Sequence, residues 1–250
     1  MIAILKSEWI KYRTLMSNWV LAIIAFAFPV VVVVLVAALG DLFEINGGDL
    51  AELIAGTTSI SLFLMSAAAA LSVTAEYAHN TIRPTFAANP NRAKVLVIKA
   101  CVATAVTIAP VAATVVVSWV AGSLILKSRD GQVSLDDHPN IVSVLIAVVV
   151  LGALLTWFGY GVGTILKSSP LSIVFLLVWP LIIENLISVV LSLTNAEGAR
   201  KWLPYQAAFG SLGLNNDPEV LGRPGGLIWF GAVAAALIVI GVVMNERRDA

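Results

Sequence analysis

The chain has 250 residues, 59% hydrophobic and 12% charged, and its 15 Lys and Arg balance 15 Asp and Glu. Soluble domains run about 45–50% apolar and about 25% charged, so too few charges remain here to cover a water-facing surface, and disorder needs the opposite balance. Zero net charge excludes a nucleic-acid binder with a strongly basic surface, and a lone cysteine, Cys101, excludes an intrachain disulfide framework or cysteine-cluster metal site.

An all-α polytopic membrane protein remains. The first segment, residues 1–18, carries Ile2, Leu5, Trp9, Tyr12 and Met16 at alternating steps of three and four, on one helical face. Lys6, Glu8, Lys11 and Arg13 fall elsewhere. That pattern predicts an amphipathic helix lying in the membrane interface; the alternative is a plain positively charged flank. Six runs then approach or exceed the ~20 apolar residues that cross a hydrocarbon core of about 30 Å. They cover 19–39, 53–75, 95–126, 141–166, 170–193 and 227–244. They are too long for barrel strands and lack strict alternation. Pro29, Pro110 and Pro180 lie inside spans, where they predict kinks, with tilt or a break at Pro110 in the long third span.

With six spans both termini share a side. That side holds Lys6, Lys11, Arg13, Arg83, Arg92, Lys94, Lys99, Lys167, Arg247 and Arg248, ten of the fifteen basic residues. Asp41, Glu44, Asp49, Glu52, Asp130, Asp136, Asp137, Glu197, Asp217 and Glu219 fall on the other. The basic excess predicts cytoplasmic termini.

Two connections are long enough to fold. Residues 76–94 read EYAHNTIRPTFAANPNRAK. Thr81 is placed to cap a short helix with Pro84 in its first turn, Asn89-Pro90 to end it, and Asn91 to cap the third span. The result is a short helix held crosswise between two long spans; a tether with no partner is the bland alternative. Residues 194–226 carry Trp202, Leu203, Tyr205, Phe209 and Leu212 at helix-compatible spacing, which predicts a helix on or dipping into the outer leaflet. It is read either as an outer gate or as an aromatic anchor.

No catalytic or metal centre emerges. No Gly-Lys dipeptide occurs, so a phosphate-binding loop is missing. Gly159, Gly161 and Gly163 fall inside the fourth span and predict close helix packing. His79 and His138 lie on opposite sides of the membrane, and Cys101 reads as a small packing residue. Glu184 is the ionisable group that stands out, about 21 Å along its helix from Pro170. It lines a pathway or outer gate, bonds a break after Pro180 beside Asn185, or sits near the outer interface.

Three stretches together, SEWIKYRT before the first span, AEYAHNTIRPT after the second and WLPYQAA before the last, resemble the permease subunit of type-2 ABC transporters. The small drug and lantibiotic-resistance exporters are the nearest likeness, and it extends over essentially the whole chain. The resemblance implies a bacterial plasma-membrane half-transporter. It would pair with a second permease, identical or paralogous, and with two copies of an ATPase subunit that hold the ATP and Mg; this chain would bind no cofactor itself. It further implies a coupling loop, here Glu76, Tyr77, His79, Thr81, Ile82, Arg83, Pro84, Thr85 and Phe86, docking on the ATPase. Glu184, Asn185, Trp202 and Tyr205 are the pathway or outer-gate candidates. Export of an amphipathic or hydrophobic substrate is the expected function, with an ion-coupled secondary transporter or a non-transporting sensor or immunity protein as alternatives.

Overall fold

The computed structural model describes residues 2–14, 16–40, 45–89, 91–213 and 220–247. Pro90, Arg248 and the acids Asp41, Glu44, Asp217 and Glu219 lie outside the described residues, as do the side chains of Ile2 and Arg247. The chain is 85% helical, with no strand among the described residues. In order come α1 (Ile2–Thr14), α2 (Met16–Leu39), α3 (Gly47–Ala78), α4 (Ile82–Ala88), α5 (Arg92–Ser128), α6 (Ile141–Leu166) and α7 (Ser169–Val178). A π-helical turn (Trp179–Ile183), α8 (Glu184–Leu193), a 3-10 turn (Glu197–Trp202), α9 (Pro204–Gly210) and α10 (Gly225–Arg247) follow. Six helical stretches are long and apolar enough to cross a membrane: Asn18–Leu39, Gly47–Ala78, Arg92–Ser128, Ile141–Leu166, Ser169–Leu193 and Gly225–Glu246.

The second and third spans run past their apolar cores because polar flanks start them. Asn46 accepts from the amides of Gly48 at 2.7 Å and Asp49 at 3.1 Å, and Asp49 returns a bond to the Asn46 amide at 3.0 Å. This reciprocal cap satisfies donors that the first helical turn leaves open. Asn91 likewise accepts from the Lys94 amide at 2.8 Å at the start of α5. Thr81 stands at the start of α4, but its side chain makes no cap bond. The hydroxyl turns back to the Glu76 carbonyl instead. α5 passes Pro110 without a break, whereas Pro180 sits in the π turn that interrupts the fifth span. Asn185 donates to the carbonyls of Pro180 and Leu181 there, adding a side-chain donor to carbonyls of the wider turn.

α3 and α6 form the centre, each half buried over its most apolar stretch, while the corresponding parts of α7–α8 and α10 are 17% buried. Between apolar helices in lipid there is no hydrophobic drive to associate, so close packing and interhelical hydrogen bonds decide. A Cβ on Gly159 would collide with the Ser66 carbonyl of α3, and one on Gly161 would meet Leu237 Cβ of α10 at 2.8 Å. Alternate glycines thus admit α3 and α10 against different sides of α6. Ser61 donates to the Ala25 carbonyl at 2.7 Å, and Trp157 to the Thr104 hydroxyl at 2.7 Å. These bonds tie α3 to α2 and α6 to α5.

Candidate functional site

The end of the bundle carrying α1, α4 and the close of α10 gathers most of the candidate residues. Glu76 and Tyr77 lie within the last turn of α3, not in a loop. The chain then reverses through Asn80, whose φ of 55° is left-handed, a conformation Asn tolerates better than most residues. α4 follows as a seven-residue crosspiece. Ile82 and Phe86, four apart, are buried against Val95, Leu96 and Ile98 at the start of α5. Arg83, Pro84, Ala87 and Ala88 are exposed, as are His79 and Thr81, and Thr85 is half-buried.

Two polar networks lie at the same end of the bundle as this crosspiece. On the α10 side, the Tyr77 hydroxyl donates to Asn245 Oδ1 at 2.6 Å, and Arg92 donates to the Asn245 carbonyl at 2.9 Å. The Arg92 guanidinium also lies over the Phe86 ring, 5.5 Å from its centre, and Lys167 lies 5.0 Å over Tyr77. On the α1 side, Lys11 bonds Glu8 at 2.8 Å and Glu76 at 2.9 Å, while Lys99 bonds the same two carboxylates at 2.9 and 2.6 Å. The four charges alternate in a closed ring that joins α1, α3 and α5. Lys99 is 4% exposed and Glu8 5%; such groups persist inside a protein only when paired. For Lys11, burial lowers the pKa, but the bonds and charges of Glu8 and Glu76 raise it more, leaving it above the usual 10.5. Burial pushes the Tyr12 hydroxyl up to about 12.

This ring turns Glu8 and Lys11 of α1 toward the bundle. Leu5 and Trp9 are exposed, Met16 belongs to α2 and is 80% exposed, and the face turned inward carries Glu8 and Tyr12. The predicted apolar face is divided, Leu5 and Trp9 pointing away from the protein while Tyr12 turns inward, because the neutralised ion ring draws the Glu8 side of the helix against the bundle. Glu184 is not the sole ionisable group inside an apolar run, since Lys99 falls inside the third. Glu8, Lys11, Arg92, Lys99 and Asn245 were absent from the site expected from sequence. The signals were there: Glu8 and Lys11 sit three apart on a helix, and Lys99 interrupts an otherwise uncharged run. Cys101 is exposed rather than packed.

At mid-depth in the bundle, Glu184 is 1% exposed. Its carboxylate accepts from Trp179 Nε1 at 2.9 Å, from the Tyr205 amide at 3.0 and 3.1 Å, and from the Gln206 amide at 3.1 Å. It thus caps the first turn of α9 across 21 residues of chain. Tyr205, 3% exposed, stacks on Phe63 with centres 5.6 Å apart, and sits edge-on to Phe158 and Phe230. Phe63 is about 24 Å along α3 from its start, so α9 dips into the bundle instead of resting on its end. Of the four outer candidates, Glu184 and Tyr205 meet, and the other two do not join them. Trp202 is 51% exposed and packs edge-on to Trp229, and exposed Asn185 serves its own helix. No protein-family model, curated protein or solved structure matches the chain.

Proposed function

We propose that the chain is the permease subunit of an ATP-driven exporter of the type-2 ABC kind. Its termini and α4 lie in the cytoplasm of a bacterial cell, and it works with a second permease and two ATPase subunits toward an amphipathic or hydrophobic substrate. The observation that carries this reading is α4 itself. It is pinned by Ile82 and Phe86, carries the Arg92 guanidinium over the Phe86 ring, and presents Arg83, Pro84, Ala87 and Ala88 outward. Force applied to that exposed face reaches α10 through Arg92 and Asn245, and reaches α1 through Glu76. ATPase closure would then shift the bundle between two states by the difference in contacts made at α4. The chain contributes no catalytic group to this cycle.

The test is co-purification with an ATPase and measurement of substrate-stimulated ATP hydrolysis. Arg83→Glu, on an exposed side chain, changes stability by no more than about 0.5 kcal/mol, yet removes ATPase association or stimulation. Transport by the isolated chain in liposomes, or an Arg83→Glu complex with intact coupling, would overturn the proposal.

A further inference from the structure

The outward side of α1 and the first turns of α5 border an open groove of about 490 Å³, lined by Leu5, Lys6, Trp9, Cys101, Val102 and Ala105. Lys99 of α5 bonds Glu8 at 2.9 Å, which holds α1 against α5 and leaves Leu5 and Trp9 38% and 54% exposed at the groove. Along α5, Cys101, Ala105, Ala109 and Ala113 stand four apart and are all exposed. Residues at that spacing share one helical face, and their small side chains make it a shallow trough. From Cys101 to Ala113 the trough runs about 18 Å, close to the roughly 15 Å of hydrocarbon in one leaflet.

The polar end of this groove offers donors. Lys6 is exposed, and neither its ammonium nor the Trp9 indole N–H has a partner among the described residues. Among those residues no acid lines the groove, and the carboxylates of the ion ring, Glu8 and Glu76, are held by Lys11 and Lys99. An anion therefore suits Lys6, while the extra ammonium of a zwitterionic headgroup finds no free carboxylate beside it. Trp is at home at this depth, its ring among the headgroups and its N–H open to a phosphate or ester oxygen. We propose that the groove seats an anionic phospholipid of the phosphatidylglycerol kind. Its phosphate accepts from Lys6 and the Trp9 indole, and one acyl chain lies along Cys101, Ala105 and Ala109.

The site lies within this chain and needs no ATPase, so its failure and failure of the permease reading are separable. Cys101, the one cysteine of the sequence, reports occupancy. The full chain in a nonionic detergent is titrated with dioleoylphosphatidylglycerol or dioleoylphosphatidylcholine, and alkylation of Cys101 by N-ethylmaleimide is timed. Phosphatidylglycerol slows alkylation saturably, and half-protection by phosphatidylcholine takes about fivefold more lipid, the preference that one basic residue at a membrane surface confers. Lys6→Gln, on an exposed side chain outside the ion ring, removes that preference. Arg13→Gln, also exposed on α1 but not at the groove, keeps it. Ala105→Leu fills the trough and raises the half-protecting concentration of both lipids. Equal protection of the wild type by the two lipids marks ordinary annular contact, and equal loss in Lys6→Gln and Arg13→Gln marks diffuse attraction. Protection that grows with protein concentration in lipid-free detergent marks a second copy of the chain in the groove. Each of these outcomes overturns the proposal, as does a Lys6→Gln protein with its preference intact.

Discussion

Lys99 holds Glu8 and Glu76 from a side chain 4% exposed, so Lys99→Met leaves two buried carboxylates sharing Lys11 alone. Breaking a buried ion pair from one side costs about 3–5 kcal/mol, and the loss is read as a lower unfolding midpoint in detergent. Lys11 behaves differently because it is partly exposed. Its folded pKa is raised, so its stabilisation is fully present below 10.5 and is lost as pH climbs through the higher folded value. The gap in midpoint between wild type and Lys11→Met therefore stays constant across neutral pH and narrows only above 10.5. Glu184→Ala strips the Trp179, Tyr205 and Gln206 donors of their acceptor, at about 1–3 kcal/mol for groups left buried and unpaired. Hydrogen exchange of the Tyr205 and Gln206 amides rises in that variant, while exchange at α4 is unchanged. Glu184 was legible in the sequence as a costly charge. Its partner was not, because an acceptor for backbone amides 21 residues away leaves no side-chain signature.

Helices follow the same division. The fourth span coincides with its apolar run at both ends, since Ile141–Leu166 is uncharged throughout. α3 and α5 outrun theirs because Asn46, Asp49 and Asn91 supply caps in the polar flanks. α4 was readable from Pro84 near its start and Asn89 at its end, but its anchoring pair was not separable from its exposed face until α5 packed against it. Phe86→Ala costs about 3–5 kcal/mol as a large-to-small change, and it also takes away the ring over which the Arg92 guanidinium lies. Denaturant unfolding measures this, and it contrasts with the near-silent Arg83→Glu. In α6, Gly159→Leu forces a side chain against the Ser66 carbonyl. Overpacking of that kind costs about 1–3 kcal/mol or more, seen as a lower midpoint and a loosened α3–α6 pair.

Taken whole, the molecule wears its apolar residues outside. Ile23, Val116, Ile146, Leu171, Leu181 and Ile228 are each between 58% and 67% exposed, a surface suited to lipid and not to water. Orientation is open to a direct check. In a Cys101→Ser background, single cysteines replace Ala87 in α4 and Asp136 near the start of α6, both exposed. The Ala87 site is labelled by an impermeant reagent only from the cytoplasmic face and the Asp136 site only from outside. Labelling of both from one side would refute the topology.

Composition and run length alone determined that this chain is a bundle of membrane-crossing helices, because twenty apolar residues in a row have no other stable place. Charge distribution alone was enough to say which end gathers cations. Only the tertiary structure decided that Glu8, Lys11, Glu76 and Lys99 form one ring, that Glu184 caps α9, and that the inner face of α1 is the charged one. Those outcomes depend on which groups meet across distant segments, and a buried charge is tolerable or ruinous according to a partner that one-dimensional spacing does not name.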